Sequence, residues 1–304
     1  MTLGTRFTAL VGCRHPIQQA PFGSSATPEL AIAVSSAGGL GMLSGAVNGQ
    51  ALARQLDLVP EGLPVGVNFL VPFLDHATLE SVAARVALVE FFWGTPSSAL
   101  VESVHQAGAL AGWQVGSRAE ALEACDAGCD LVAVQGVEAG GHVRGSVALL
   151  PLLEEVRRAV STPLIAGGGI GTGRAVAAAL VAGADAVRVG TRFLAAVESG
   201  AHPAYVDALI ASGAEDTVLT TAFGAGWPDA PHRVLRSCVE AGEALGDAQV
   251  WTPDWPGREY EGPAAARALY AGESVGAVRS RQTAGAIVEE LVAEAERALD
   301  VASA

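Results

Sequence analysis

The sequence contains no lysine: all 18 of its basic residues are arginine. That absence removes whole classes of chemistry. A Schiff-base aldolase, a pyridoxal enzyme and a Walker A nucleotidase each depend on the lysine amine. Alanine is abundant alongside, which points to a coding bias, so the missing lysine is an exclusion and not a function. Positive charge is scarce overall, with 18 basic residues against 32 acidic ones and a net of −14. Such a chain has no global basic field to draw a phosphate backbone or an anionic surface, so neither nucleic acid nor membrane is expected as a partner. Aromatics are 5% of the 304 residues, and the core has to be built from Ala, Val and Leu. The four cysteines, Cys13, Cys125, Cys129 and Cys238, form no disulfide pattern in a chain this long. Cys125 and Cys129 stand close together, but zinc would need two more ligands and none is in sequence reach, so no metal site is expected. The amino terminus lacks a basic segment followed by a sustained apolar one. The longest small-apolar run, Ala175 to Ala184, is about half of what a bilayer span requires. A soluble, cytoplasmic protein is expected.

What is present is a rhythm. Half of the residues are hydrophobic (50%) and only 16% are charged, which is the composition of a folded α/β chain. Short apolar runs predict strands near Ile17–Ala20, Gly39–Leu43, Pro64–Phe69, Leu88–Trp93, Leu110–Val115, Leu131–Gln135, Pro163–Ala166 and Ala186–Gly190. Between them, helical spacing predicts helices near Pro28–Ala37, Gln50–Leu56, Ala77–Ala84, Ser97–Gln106, Arg118–Asp126, Leu149–Val160 and Gly173–Ala182. Thr27 before Pro28 reads as an N-cap with proline at N1, and Ser117 with Glu120 as a capping box. Gly38, Gly108, Gly128 and Gly183 each follow a helical run, where a left-handed residue ends a helix. An internal repeat falls on the same joints: Ala127-Gly-Cys-Asp-Leu-Val-Ala-Val134 parallels Ala182-Gly-Ala-Asp-Ala-Val-Arg-Val189. Repetition of one strand–helix unit favours a (β/α)8 TIM barrel over an open dinucleotide-binding sheet. The strict G-x-G-x-x-G fingerprint also fails, because its last position falls on Thr172 or Arg174.

After Arg192 the pattern changes, and Trp227, Trp251 and Trp255 all lie in the stretch that follows. The expected organisation is a barrel made of 1–201 and 278–304, with 202–277 inserted as a smaller helical cap. A last amphipathic helix near Gln282–Leu299 would close the barrel.

Chemistry is expected at the carboxyl ends of the strands. In Ala166-Gly-Gly-Gly-Ile-Gly171 a strand runs through glycines into a helix, and one unit later comes Val189-Gly-Thr191. Loops after strands seven and eight of this barrel commonly hold phosphate, on bare backbone N–H groups and a helix amino terminus. His142 follows Gly140 and Gly141 on the loop after strand six, where an imidazole can serve as a general base. Glu138 caps or orients that loop. His15, His76 and His105 read as bystanders, and His202 and His232 as flanking the cap. Asn68, Gln114 and Gln135 stand at strand ends, and Pro21, Phe22 and Gly23 form a turn after the first strand. A ring of amides at one mouth suits a heterocycle rich in N–H and C=O groups, or else merely satisfies the loops.

These residues together resemble the nitronate monooxygenase family. The likeness covers nearly the whole chain and rests on Ala20-Pro-Phe-Gly23, Ala37-Gly-Gly-Leu-Gly41, Gly66-Val-Asn-Phe69, Gln135-Gly-Val-Glu-Ala-Gly-Gly-His142, Ala166-Gly-Gly-Gly-Ile-Gly171 and Gly190-Thr-Arg-Phe193. The same framework is shared with FMN-dependent enoyl-(acyl carrier protein) reductases. The resemblance implies FMN as cofactor, a small-molecule substrate with dioxygen, and oxidation of alkyl nitronates to a carbonyl compound and nitrite. It implies that His142 takes the α-proton of a nitroalkane. It implies that Gly168, Gly169, Gly190 and Thr191 cradle the phosphate, with Gly140 and Gly141 beside the cofactor. Pro21, Phe22 and Gly23 would lie over the flavin ring, and Asn68, Gln114 and Gln135 would supply its polar contacts. With lysine absent, the phosphate would be neutralised by backbone donors and a helix dipole, aided by Arg174 or Arg192. Two departures stand out: some members carry methionine where Phe22 stands, and lysine where Gln114 stands. The alternatives are an NAD(P)H-dependent enoyl reductase and a flavin-binding protein without turnover. Trp227, Trp251 and Tyr260 are candidates for shaping the pocket, and a homo-oligomer stays open.

Overall fold

A computed structural model describes residues 3–303. Its strands are β1 (Ile17–Gln19), β2 (Gly41–Ser44), β3 (Val65–Leu70), β4 (Leu88–Phe92), β5 (Leu110–Val115) and β6 (Leu131–Gln135). A two-residue strand outside the barrel follows, β7 (Gly141–His142), and then β8 (Leu164–Gly167) and β9 (Ala186–Val189). The eight barrel strands pair in parallel in the order β1-β9-β8-β6-β5-β4-β3-β2. The ring closes between β1 and β2, where the Leu40 N–H donates to the Ile17 carbonyl at 2.8 Å and the Gln19 N–H to the Leu40 carbonyl at 3.0 Å. This is the (β/α)8 architecture that the alternation of elements implies. The predicted strands and the seven helices between them agree with the observed ones to within about two residues at each end, the usual scatter of boundaries.

Local chemistry sets the joints. Thr27 accepts from the Leu30 N–H at 3.1 Å, with Pro28 at N1. Gly38, Gly108, Gly128 and Gly183 all hold left-handed φ between 91° and 102°. The Ser117 cap differs from expectation in one half. Ser117 does accept from the Glu120 N–H at 3.2 Å, but the Glu120 carboxylate turns to the Gly116 N–H at 2.8 Å and to Arg144 at 2.8 Å. The internal repeat acquires a physical meaning. Asp130 and Asp185 hold equivalent places, and each carboxylate accepts from the amide of a neighbouring strand, Ala111 at 2.8 Å and Leu164 at 2.9 Å. The repeated Asp is therefore a clamp between adjacent strands.

Period-two alternation sorts the barrel side chains. Ile17, Val67, Val89, Phe91, Trp113, Val132, Val134, Val187 and Val189 face outward into the main core beneath the helices. Leu40, Met42, Leu88, Leu131, Ala133, Ile165 and Ala186 fill the inside, where Phe7 and Val11 of the short helix Arg6–Val11 join them and stopper the amino end. Arg6 fixes that helix through a two-pronged pair with Asp185, 2.7 Å on each prong.

A separate core gathers Leu194, Tyr205, Leu209, Phe223, Val234, Leu235, Leu269 and Val275. The segment that carries it is mixed rather than purely helical. Helices Pro203–Ala211 and Arg236–Leu245 accompany β10 (Thr217–Thr220) and β11 (His232–Leu235), an antiparallel pair. The terminal helix, Ala284–Ser303, packs on the helices Gly173–Val181 and Pro28–Ser36. Among the described residues no helix is long and apolar enough to cross a membrane.

Candidate active site

The carboxyl ends of the strands open into a cavity of about 920 Å³. The expected catalytic histidine and the expected glycine, amide and turn residues all line it: Pro21, Phe22, Gly23, Asn68, Gln114, Gln135, Gly140, Gly141, His142, Gly168, Gly169, Gly190 and Thr191. Residues more than 100 positions apart in the chain thus converge because each ends a strand of one closed sheet.

His142 is held from two sides. Its strand β7 pairs with β11 of the cap, in register with His232. From the barrel, the Gln135 side chain donates to the His142 carbonyl at 2.8 Å and accepts from the Arg144 N–H at 3.0 Å. Most of the Gln135 amide is therefore spent on the loop, which leaves it one N–H for a ligand. The imidazole sits in an aromatic box, 4.2 Å from Trp227, 5.3 Å from His232, 5.7 Å from Tyr270 and 5.8 Å from Trp93 by ring centroid. Trp93 holds φ at +62°, a backbone that large residues rarely adopt. Burial, with a smaller push from His232, drives the imidazolium of His142 down to about 3. The resting imidazole is neutral, with one ring nitrogen a donor and the other an acceptor.

The polar layer is deeper than the sequence-based site. Arg188 and Glu90 point inward from β9 and β4 at 8% and 1% exposure and form a buried ion pair. Arg188 also donates to Gln114, and to Gln18 at 2.8 Å, while Asn68 donates to the far oxygen of Glu90 at 3.0 Å. Arg188 lines the cavity, whereas Glu90 lies behind it. A signal for both was on view: one charge inside each of two apolar strands, Leu88-Val-Glu-Phe-Phe92 and Ala186-Val-Arg-Val189, of opposite sign.

The glycine cradle is shaped by need. Gly168 and Gly169 hold φ of +121° and +68°, and a Cβ on Gly140 would stand 2.5 Å from the Gly272 nitrogen. Thr191 accepts from the Gly272 N–H at 3.0 Å, and Ser274 adds a hydroxyl to the lining. The two arginines expected to help are turned away, and the amino end of the next helix is partly occupied. The first amide of the helix Gly173–Val181 is bonded to Glu294 at 2.7 Å. Arg174 is exposed and pairs with Glu294 at 3.7 Å, and Arg192 turns to the Gly171 carbonyl, Gln282 and Glu290. Neither arginine reaches the cavity; their place on the helical side of the loops gives them carboxylate partners instead.

The remaining expectations divide. Both carboxylate oxygens of Glu138 accept from the Leu149 N–H at 3.0 Å, so it orients the loop and caps the next helix. His76 and His105 are exposed, the latter paired with Asp130 at 2.8 Å, and His202 caps its helix at Ala204. His232 is buried behind His142, with Nδ1 on the Ala230 carbonyl and Nε2 without a partner. Of the aromatic candidates Trp227 lines the cavity, while Trp251 and Tyr260 do not. Trp251 packs on Phe223 in the cap core, and Trp255, which lines the cavity, rests its indole over Gly23. The cysteines are free thiols, and burial raises Cys129 and Cys238 to about 12.

Comparison with known proteins places this geometry. The nitronate monooxygenase family model matches residues 4–85 and 75–294. A (3aS,4S,5R,7aS)-5-hydroxy-7a-methyl-1-oxo-octahydro-1H-indene-4-carboxyl-CoA dehydrogenase of Rhodococcus jostii is 35% identical over 78% of this chain and 67% of its own. Among solved structures, FabK of Thermotoga maritima superposes with a TM-score of 0.86 at 31% identity, covering 98% of both chains. A nitroalkane oxidase of Streptomyces ansochromogenes gives 0.79 at 30%, covering 97% of this chain and 99% of its own. With a matching model over most of its length and a barrel mouth built from the motifs that suggested it, the chain belongs to the nitronate monooxygenase family.

Proposed function

We propose that the protein is an FMN-dependent oxidoreductase that converts alkyl nitronates, and more slowly nitroalkanes, to a carbonyl compound and nitrite with dioxygen. The observation that carries this reading is the convergence of His142, the glycine cradle and the strand-end amides on one cavity. The residues present fit FMN. The consecutive left-handed glycines Gly168 and Gly169, packed against Gly136, Ala139 and Glu138, bring bare backbone to the cavity wall where N–H groups can meet a phosphate, and Asn68 and Gln114 offer amides for a flat heterocycle. When bound, FMN supplies electron acceptance and the reaction with dioxygen.

The chain's own groups do the rest. Gly168, Gly169, Gly190 and Thr191 hold the phosphate through backbone donors. Pro21, Phe22 and Gly23 wall the ring, with Trp255 backing the turn. His142 is neutral at rest, so it hydrogen-bonds a nitronate through its N–H, or accepts the α-proton of a nitroalkane at its bare nitrogen. An imidazole held at about 3 is a weak base until an anion enters beside it, which is why the preformed nitronate is the better substrate. Trp227 and Trp93 exclude water from the imidazole.

The test is the visible spectrum of the purified protein followed by oxygen uptake with propionate 3-nitronate. A flavin spectrum and nitrite formed with oxygen consumed are expected; a colourless protein that FMN does not reconstitute overturns the reading. The likeness to FabK over 98% of both chains supports a second reading, an NAD(P)H-dependent enoyl-(acyl carrier protein) reductase. Anaerobic bleaching of the bound flavin by NADPH, with no uptake on nitronate, would select it. Inertness to nitronates, enones and NAD(P)H, with FMN still held, would leave a flavin-binding protein without turnover.

A further inference from the structure

We propose that Arg188 supplies the positive charge of the cofactor pocket, in the place of the lysine that some family members carry where Gln114 stands here. The proposal rests on the FMN reading above. The chain has no lysine to place at the mouth, and Arg174 and Arg192 are turned away from it. The cation that does line the cavity comes from another strand. Arg188 reaches across the barrel from β9 to β5 and donates to the Gln114 side chain itself, so the charge stands directly behind the neutral amide.

The surroundings fix the guanidinium. Its Nε donates to Gln18 at 2.8 Å, one terminal nitrogen to Gln114 and the other to Glu90. Glu90 is in turn held by Asn68 at 3.0 Å. Each arm has a partner, and the planar fork cannot swing away without leaving a buried donor unmet. Glu90 makes the pair neutral overall, but the two charges are not equivalent toward the cavity. Arg188 is among the residues lining it and Glu90 is not, so the cation is the nearer charge and the field reaching a ligand is positive, though weaker than that of a lone cation. The Gln114 oxygen accepts from Arg188, which leaves its N–H2 as the group it can offer a ligand. A flavin gains negative charge on reduction, and also when sulfite adds to it. Arg188 therefore raises the affinity of bound FMN for electrons and for sulfite.

The experiment measures sulfite dissociation constants and midpoint potentials of bound FMN from the visible spectrum, with no turnover involved. Arg188→Gln is expected to weaken sulfite binding at least ~10-fold and to lower the potential by about 30 mV, the equivalent of tenfold for a two-electron couple. Adding Gln114→Lys to Arg188→Gln returns the cation to the amide's position and is expected to restore both values. A sulfite affinity within twofold of the parent's in Arg188→Gln overturns the proposal, and so does failure of Gln114→Lys to restore it. If Arg188→Gln does not fold, the pair Glu90→Gln/Arg188→Gln removes both charges together, and the same thresholds and the same Gln114→Lys rescue apply. A parent protein that binds no FMN overturns the functional reading and this one with it; loss of the effect with FMN still bound overturns only this one.

Discussion

The two ends of the barrel interior are built from the same alternating positions and have opposite chemistry. At the amino end Leu40, Met42, Leu88, Leu131 and Ile165 pack with Phe7 and Val11. Toward the carboxyl end the inward positions of β3, β4, β5, β6 and β9 carry Asn68, Glu90, Gln114, Gln135 and Arg188, and on β4 a single pleat separates Leu88 from Glu90. The floor is apolar and buried, whereas the mouth carries a polar layer under an open cavity. Stability and chemistry are thereby separated by height within one closed sheet, which is how a barrel tolerates a demanding site.

That separation can be broken from either side. The largest effect is expected in the floor. Leu88→Ala should cost about 2–5 kcal/mol, by lost burial and the void left in a barrel that cannot collapse, while a ligand at the mouth keeps its contacts. Urea unfolding with and without FMN measures this; a loss under ~1 kcal/mol would mean that the interior is not close-packed. The mouth should behave in reverse. His142→Asn is expected to slow nitroalkane turnover at least ~100-fold while sparing preformed nitronate, with the unfolding midpoint at neutral pH little changed. Equal loss on both substrates would remove His142 from proton transfer.

The smallest effect is expected in acid. His142, His232 and His15 are all held below the ordinary imidazole value, chiefly by burial. The unfolded chain takes up these protons near pH ~6.5, while the folded chain holds His142 neutral down to about 3. The unfolded state then binds more protons, so the stability these groups favour is present above about 6.5 and drains as pH falls toward 3. His142→Asn should make the fall of the urea midpoint across this interval shallower; an unchanged slope would show that the imidazole is not desolvated.

The barrel was legible because its signals are local and repeated. A buried parallel strand is a short apolar run, and a helix end is a glycine with a left-handed φ, as at Gly108 and Gly128. The lining of the cavity was legible through motifs at strand ends. What escaped was set by partners distant in the chain. Glu90 and Arg188 are 98 positions apart, and only closure of the sheet brings their charges together. Arg174 and Arg192 sit beside the glycine loops in sequence, but carboxylates of the terminal helix claim them. The cap resisted for another reason. Its hairpin strand β11 is completed by β7 of the histidine loop, so neither segment shows its sheet alone.

Among the described residues, the helix Arg6–Val11 stoppers the amino end of the barrel interior, so the polar layer is approached from the cavity at the carboxyl end. Whatever settles deepest must arrive before anything that lies above it, and it cannot depart while the upper guest remains. A broad planar tenant seated on the polar layer would thus become a resident and a smaller visitor a transient. This order of last in, first out is imposed by the stopper alone, with no moving part.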